Sequence, residues 1–285
     1  VISYYQQSDD ATPSVFGRLM LARCSNPKCT SSDVSVLDEG FQGWVGKHSS
    51  IVVDDDDNRV FVSYYDEEHQ DLRLVVCNEE IPCDNHLVAG YGSYGDDVGQ
   101  HSSIALTEHG NPMISYYDQY DSTLKVAYCH GEGYSTCDSI PLGGIQASAP
   151  YTSIAISGTD GRAVVSYYTD DGKLGIASSD GANYMSWEAQ TVDNSTTVGN
   201  VGSTDGSVAF NSENNAVISY YDSTGKNLMV AYCQNTQCSD ARLFVVDNSE
   251  GVGQYSSLAF NLNGTLVISY FDETNTNLKM ALCSD

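Results

Sequence analysis

The sequence predicts an all-β chain folded as a six-bladed β-propeller with four-stranded antiparallel blades. Three observations carry that expectation: a six-fold internal repeat, four short strand-like segments in each repeat, and no stretch with sustained helical periodicity. The 285 residues are 41% hydrophobic, enough for a substantial core.

One pentapeptide anchors the repeat. It opens as Ile2-Ser3-Tyr4-Tyr5 and returns as Val62-Ser63-Tyr64-Tyr65-Asp66 and Ile114-Ser115-Tyr116-Tyr117-Asp118. It recurs as Val165-Ser166-Tyr167-Tyr168, Ile218-Ser219-Tyr220-Tyr221-Asp222 and Ile268-Ser269-Tyr270-Phe271-Asp272. From serine to serine the spacings are 60, 52, 51, 53 and 50 residues. A period near fifty with four strands per unit is the signature of a propeller blade.

The first strand of a unit is typified by Ser102-Ser103-Ile104-Ala105-Leu106, matched at Ser49 to Val53, Thr152 to Ile156, Ser207 to Phe210 and Ser256 to Phe260. The second is the Ser-Tyr-Tyr segment. Adjacent strand residues point to opposite faces, so one tyrosine fills the interface before its blade and the other the interface after it. An alternating run such as Leu124 to Cys129 forms the third, echoed at Leu72 to Cys77, Leu228 to Cys233 and Leu278 to Cys283. The fourth is weaker, as in Ala241 to Val246. Each segment is rich in β-branched and aromatic residues and bounded by Asp, Asn, Gly or Ser turns.

These units set the expected blades at 1–40, 41–92, 93–144, 145–195, 196–248 and 249–285, within a single domain spanning 1–285. The end blades are incomplete: 22 strands are countable where six full blades need 24. The expectation is that the natural polypeptide continues at one or both ends.

Gly110-Asn111-Pro112-Met113-Ile114-Ser115-Tyr116-Tyr117-Asp118, followed by Leu124-Lys125-Val126-Ala127, resembles the repeat of a group of secreted propeller-like proteins. The Val-Gly-x-x-Ser-Ser lead-in at Val98 to Ser103 and Val252 to Ser257 is similar to the same pattern. The resemblance covers nearly the whole chain. It implies a fold and an extracellular setting, and it lends no catalytic residues.

Eight of the nine cysteines fall in close pairs: Cys24/Cys29, Cys77/Cys83, Cys129/Cys137 and Cys233/Cys238. In each, the first ends the third strand and the second precedes the fourth. A hairpin end brings its flanks within bridging range, so four disulfides are expected, each contributing about 2 kcal/mol on the chain-entropy model. Zinc is the rival reading, but it needs two such pairs at one centre, and these lie on different blades. The fourth unit has Ser178 and Ser179 where the first cysteine belongs, and no second cysteine. Cys283 is left unpaired in this chain. Sequons at Asn194 and Asn263 fall in predicted turns, which agrees with a secreted glycoprotein.

With 38 Asp+Glu against 12 Lys+Arg, the formal charge is −26. Phosphate binding needs clustered Lys and Arg, so no nucleic-acid partner is expected, nor an anionic membrane surface. No apolar run approaches a membrane span, so membrane insertion is not expected.

Each candidate site has a bland alternative. Asp66, Asp118, Asp222 and Asp272 follow the tyrosines and read as turn caps rather than repeated ligands. The repeating Ser63, Ser115 and Ser219 lie mid-strand with no histidine at fixed spacing, which argues against a nucleophile. Asp54 to Asp57 with Asn58 raises calcium as the single cofactor alternative, but it lacks the glycine and the bidentate Glu of an EF-hand loop. No other metal or cofactor is expected. The residue just before each first strand reads His48, His101, Tyr151, Asp205 and Tyr255. These five would gather at one mouth of a central channel and bind a ligand there, or would pack between lead-in loops.

The expected function is non-catalytic: a structural or adhesive module of a larger cell-surface or extracellular assembly, partnered by other extracellular proteins or copies of itself. A second reading is a lectin-like propeller that binds glycans through Tyr, Asp and His of successive blades. A third is a polysaccharide lyase or hydrolase at the channel mouth, with His48 or His101 as base.

Overall fold

The computed structural model describes residues 1–7, 17–40, 44–78, 83–90, 97–194 and 206–283, the side chains of 143–150 excepted. The fold is all-β, a six-bladed β-propeller with antiparallel blades. The chain divides into two compact units, Val1–Ile140 and Pro141–Asp285.

The first unit holds three sheets. The first is β1 (Ile2–Gln7), β2 (Gly17–Cys24) and β3 (Ser32–Glu39). The second is β4 (Val45–Asp54), β5 (Arg59–Asp66), β6 (Asp71–Cys77) and β7 (Asp84–Ala89). The third is β8 (Ser103–Leu106), β9 (Pro112–Asp118), β10 (Thr123–His130) and the first part of β11 (Thr136–Ile156).

In the second unit, β11 from Ala147 onward pairs with β12 (Ala163–Thr169), followed by β13 (Leu174–Asp180) and β14 (Asn183–Asp193). The fifth sheet is β15 (Ser207–Phe210), β16 (Ala216–Asp222), β17 (Asn227–Cys233) and β18 (Ala241–Asp247). The sixth is β19 (Val252–Phe260), β20 (Leu266–Asp272) and β21 (Asn277–Cys283). The first and last sheets have three strands each, as the repeat predicts.

From the second sheet onward the Ser-Tyr-Tyr strand is second in its sheet and pairs on both edges: Val62 faces Ile51 on β4 and Val75 on β6. A strand paired on both edges and packed on both faces reads as a continuous buried run, and β5 is buried from Val60 to Asp66. Each apolar layer lies between consecutive sheets. Leu19 and Leu21 of the first sheet pack with Val60, Val62 and Tyr64 of the second. Phe61, Leu72 and Leu74 of the second pack with Ile114 and Tyr116 of the third. In the second unit, Tyr168 and Ile176 meet Ile218 and Tyr220, and Val217 and Val230 meet Ile268 and Tyr270. Each such side chain contributes about 1.5–3 kcal/mol when fully buried.

The tyrosine pair is divided as the sequence predicts. Tyr64, Tyr116, Tyr220 and Tyr270 fill the layer before their sheet, and Tyr168 the layer after. Tyr65 reaches Asp97 in the lead-in of the third sheet, at 2.7 Å.

Candidate functional site

The lead-ins to the second, third and sixth sheets are each built on a glycine pressed against the preceding sheet. Gly46, Gly99 and Gly253 have φ of 93°, 98° and 109°. A Cβ on any of them would come within 2.7 or 2.8 Å of the Cα of Leu19, Leu72 or Leu228, the third-strand or second-strand leucine of the neighbouring sheet. Only glycine combines that backbone with that approach.

Two residues further on stand three of the candidate side chains. His48, His101 and Tyr255 adopt left-handed φ of 53°, 51° and 53°. Around His48 and Tyr255 the strand carries one extra residue against its partner, a β-bulge between Lys47 and Ser50 and between Gln254 and Ser257. Bulges redirect a side chain out of the pleat. His48 is exposed and His101 half-buried, and their ring centroids are 3.8 Å apart, with Tyr65 beside His48 at 6.4 Å. Tyr255 is 54% exposed and meets Phe271 edge-on at 6.4 Å. Tyr151 is half-buried within β11. Asp205 lies outside the described residues.

The structure therefore brings His48 and His101 together in the first unit and places Tyr151 and Tyr255 in the second. Chemically, the His48–His101–Tyr65 cluster offers aromatic faces and imidazole nitrogens. Asp97, nearby, is engaged by Tyr65 and by Gln100 at 2.8 Å.

The repeated serines serve a purpose the sequence did not disclose. Ser3, Ser63 and Ser219 hydrogen-bond Ser49, Ser102 and Ser256, the first lead-in serine of the following sheet, at 3.1, 2.9 and 2.9 Å. The second lead-in serine accepts from the next inner strand: Ile104 N–H to Ser50 and Val208 N–H to Ser153, each at 3.2 Å. The first tyrosine makes the outer link. Tyr64 donates to Asp38, Tyr220 to Asp193 at 2.7 Å, and Tyr270 to Asp247 at 2.7 Å. Burial raises the pKa of all three hydroxyls, and the carboxylate each one faces raises it further.

The signal for those aspartates was present in the spacing. Asp38, Asp193 and Asp247 pair with Leu19, Leu174 and Leu228, nineteen residues earlier in each case. In the second sheet the equivalent residue is Ala89, facing Leu72, and Tyr116 turns instead to Ser139 at 2.6 Å.

The aspartates after the tyrosines cap turns. Asp66 accepts from the N–H of Glu68, Asp118 from Asp121, Asp222 from Thr224 and Asp272 from Asn275, at 2.9–3.1 Å. In two of them the other oxygen takes a cation from the third strand: Arg73 lies 2.9 Å from Asp66 and Lys125 2.6 Å from Asp118.

In the Asp54–Asp57 run, Arg59 is the resident cation, 3.3 Å from Asp54 and 2.6 Å from Asp57. Among the described residues no three His, Cys, Asp or Glu side chains converge to hold a metal.

All four expected disulfides are present, Cys24–Cys29, Cys77–Cys83, Cys129–Cys137 and Cys233–Cys238, and Cys283 is free. Bridges of this kind persist in oxidising environments. Among the described residues no helix is long and apolar enough to cross a membrane. Asn194 and Asn263 are exposed, the latter in the turn before β20.

No family model matches the chain, and no curated protein matches it. Solved structures do resemble it in fold. A protein of unknown function from Dyadobacter fermentans has a TM-score of 0.61 at 10% identity, over 84% of this chain and 78% of that one. A triple arginine-to-alanine variant of AofleA from Arthrobotrys oligospora has a TM-score of 0.61 at 11% identity, over 94% and 76%. The exo-β-1,3-galactanase of Phanerochaete chrysosporium has a TM-score of 0.53 at 9% identity, over 84% and 60%. At these identities the likeness is one of fold alone.

Proposed function

We propose that this chain is a non-catalytic extracellular β-propeller, a structural or adhesive module of a larger assembly. One observation carries the reading: within each unit, polar residues that define the repeat link consecutive sheets. Serine meets serine, tyrosine meets aspartate and glycine meets leucine at the same positions of the repeat, each in three places among the described residues. A sequence repeated for such links is one selected for mechanical integrity, and the disulfides at the outer turns act to the same end. The two candidate histidines engage each other, which also favours packing over acid–base work.

Electron microscopy of native material tests this. Rows, fibres or multi-component particles are the expected result. Turnover of a polysaccharide by the purified protein, abolished by His48→Ala with His101→Ala, would overturn it in favour of an enzyme.

A further inference from the structure

We propose that Asn263, at the tip of the hairpin between β19 and β20, carries an N-linked oligosaccharide. The inference rests on the extracellular part of the proposed function and adds a modification site to it.

The acceptor chemistry lies in three consecutive residues. Asn263-Gly264-Thr265 offers an asparagine amide with a threonine hydroxyl two residues on, the order an oligosaccharide transfer needs. Such triplets are common, and what distinguishes this one is its setting.

The turn is one of three built alike. Thr107–Asn111, Asn211–Asn215 and Asn261–Thr265 each join the first strand of a sheet to the second. The first N–H donates to the fifth carbonyl at 2.9, 3.0 and 3.0 Å. The fourth residue, Gly110, Asn214 or Gly264, stands at a φ of 72°, 62° or 79° and donates its N–H to the first carbonyl. The first side chain accepts the fifth N–H: Thr107 from Asn111 at 3.1 Å, and Asn211 from Asn215 and Asn261 from Thr265 at 2.9 Å. The side chain that shapes the turn is therefore the first one.

The third residue lends the turn only its backbone. Glu213 and Asn263 each donate their N–H to the capping asparagine, at 3.1 and 2.9 Å. The third side chain is His109 in one turn, Glu213 in the next and Asn263 in the last. Three unrelated side chains at one position mean that folding does not fix it. Asn263 is thus spare as far as the hairpin is concerned.

It is also well presented. Leu262 and Asn263 are exposed, and a Cβ on Gly264 would find nothing within 4 Å. Nothing crowds the amide, so a bulky hydrophilic group on it costs the hairpin no contact. The same group would shield Leu262, an apolar side chain fully exposed at the tip. Asn194, the other sequon asparagine, is followed by Ser195 and Thr196, which lie outside the described residues, and the proposal is confined to Asn263.

In the transfer, the Asn263 Nδ2 attacks C1 of the first sugar of a lipid-diphosphate-linked oligosaccharide. A C–N bond forms, the C–O bond to the diphosphate breaks, the amide loses one proton, and the lipid diphosphate leaves. Nothing is oxidised or reduced.

The test is the full chain secreted from eukaryotic cells and mapped by mass spectrometry before and after an amidase that removes N-glycans and leaves Asp. Position 263 is expected to carry a glycan and to read as Asp after the enzyme. Thr265→Ala should lose the glycan and Thr265→Ser should keep it, which separates recognition of the hydroxyl from any change in the turn. Asn263→Gln should lose the glycan and still be secreted, since the turn does not use that side chain. A bare Asn263 in secreted material whose four disulfides have formed would overturn the site and leave the extracellular reading standing. A glycan that persists in Thr265→Ala would also overturn it. A glycan at 263 in material lacking the four bridges would uphold the site and count against the oxidising setting instead.

Discussion

Tyr220 of β16 donates its hydroxyl to Asp193 at the end of β14, at 2.7 Å, and both residues are buried. The bond joins the fifth sheet to the fourth across an apolar layer, where a hydroxyl and a carboxylate are each costly to leave unpaired. Tyr270 with Asp247 and Tyr64 with Asp38 repeat it.

Removing the donor should therefore cost more where the acceptor is a carboxylate. Tyr220→Phe is expected to lose about 1.5–3 kcal/mol, the range for a hydrogen bond to a charged group. Tyr116→Phe, whose partner is the neutral hydroxyl of Ser139, should lose nearer 1 kcal/mol. Urea unfolding of the two variants checks this. Equal losses would mean that the carboxylate adds nothing.

The same pairs predict a pH window. Burial pushes the Asp247 carboxyl up, but hydrogen bonds from Lys279, Ser249 and Tyr270 overcome it and hold the pKa well below the usual carboxylate range. A depressed carboxyl stabilises the fold above its unfolded value, about 4, and the benefit is lost as the pH falls further. Burial and Asp247 raise the Tyr270 hydroxyl, so that contribution is present below about pH 10 and fades as the pH climbs beyond it. Thermal melts from pH 2 to 11 should fall at both ends, and Asp247→Asn should flatten the acid limb.

Much of this organisation was legible in the sequence because it is written as repetition. Strand order, the division of the tyrosines between faces and the four cysteine pairs follow from period, pleat and hairpin geometry, which are local rules. The aspartates that receive the tyrosines were not seen. They sit in the least regular strand, and their partners lie in the next sheet, so the trace they leave within a unit is the nineteen-residue spacing from the leucine each one faces.

The lead-in glycines offer a sharper test of packing. Gly99→Ala would place a methyl group 2.8 Å from the Leu72 Cα while forcing alanine to a φ of 98°. Two backbones would have to separate, so a loss of several kcal/mol or of soluble protein is expected. Gly133 has a φ of 65° with nothing within 4 Å of a new Cβ. Gly133→Ala should cost only about 1–2 kcal/mol, from backbone preference alone. Comparable losses in the two variants would remove close approach as the cause.

Cysteine chemistry separates the free thiol from the bridges. Non-reducing peptide mapping should recover four intact pairs and one alkylated residue, Cys283. Burial raises the Cys283 thiol above its ordinary pKa, so its alkylation near neutral pH should be slower than that of glutathione. Alkylation as fast as the free tripeptide would show that the thiol is not held as described.

His48 and His101 are both held in the left-handed region, which asparagine tolerates and β-branched residues do not. If their contribution is to shape and pack the lead-in loops, His48→Asn with His101→Asn should keep most of the stability. The loss should be limited to the imidazole contact, about 0.5–1.5 kcal/mol. His48→Val with His101→Val should lose that contact and also pay the backbone penalty at two positions, about 1–2 kcal/mol each. Denaturation midpoints of the two double variants measure the difference. Assembly seen by electron microscopy should survive in the asparagine pair. Loss of assembly there, with stability retained, would move these two side chains from packing to partner recognition.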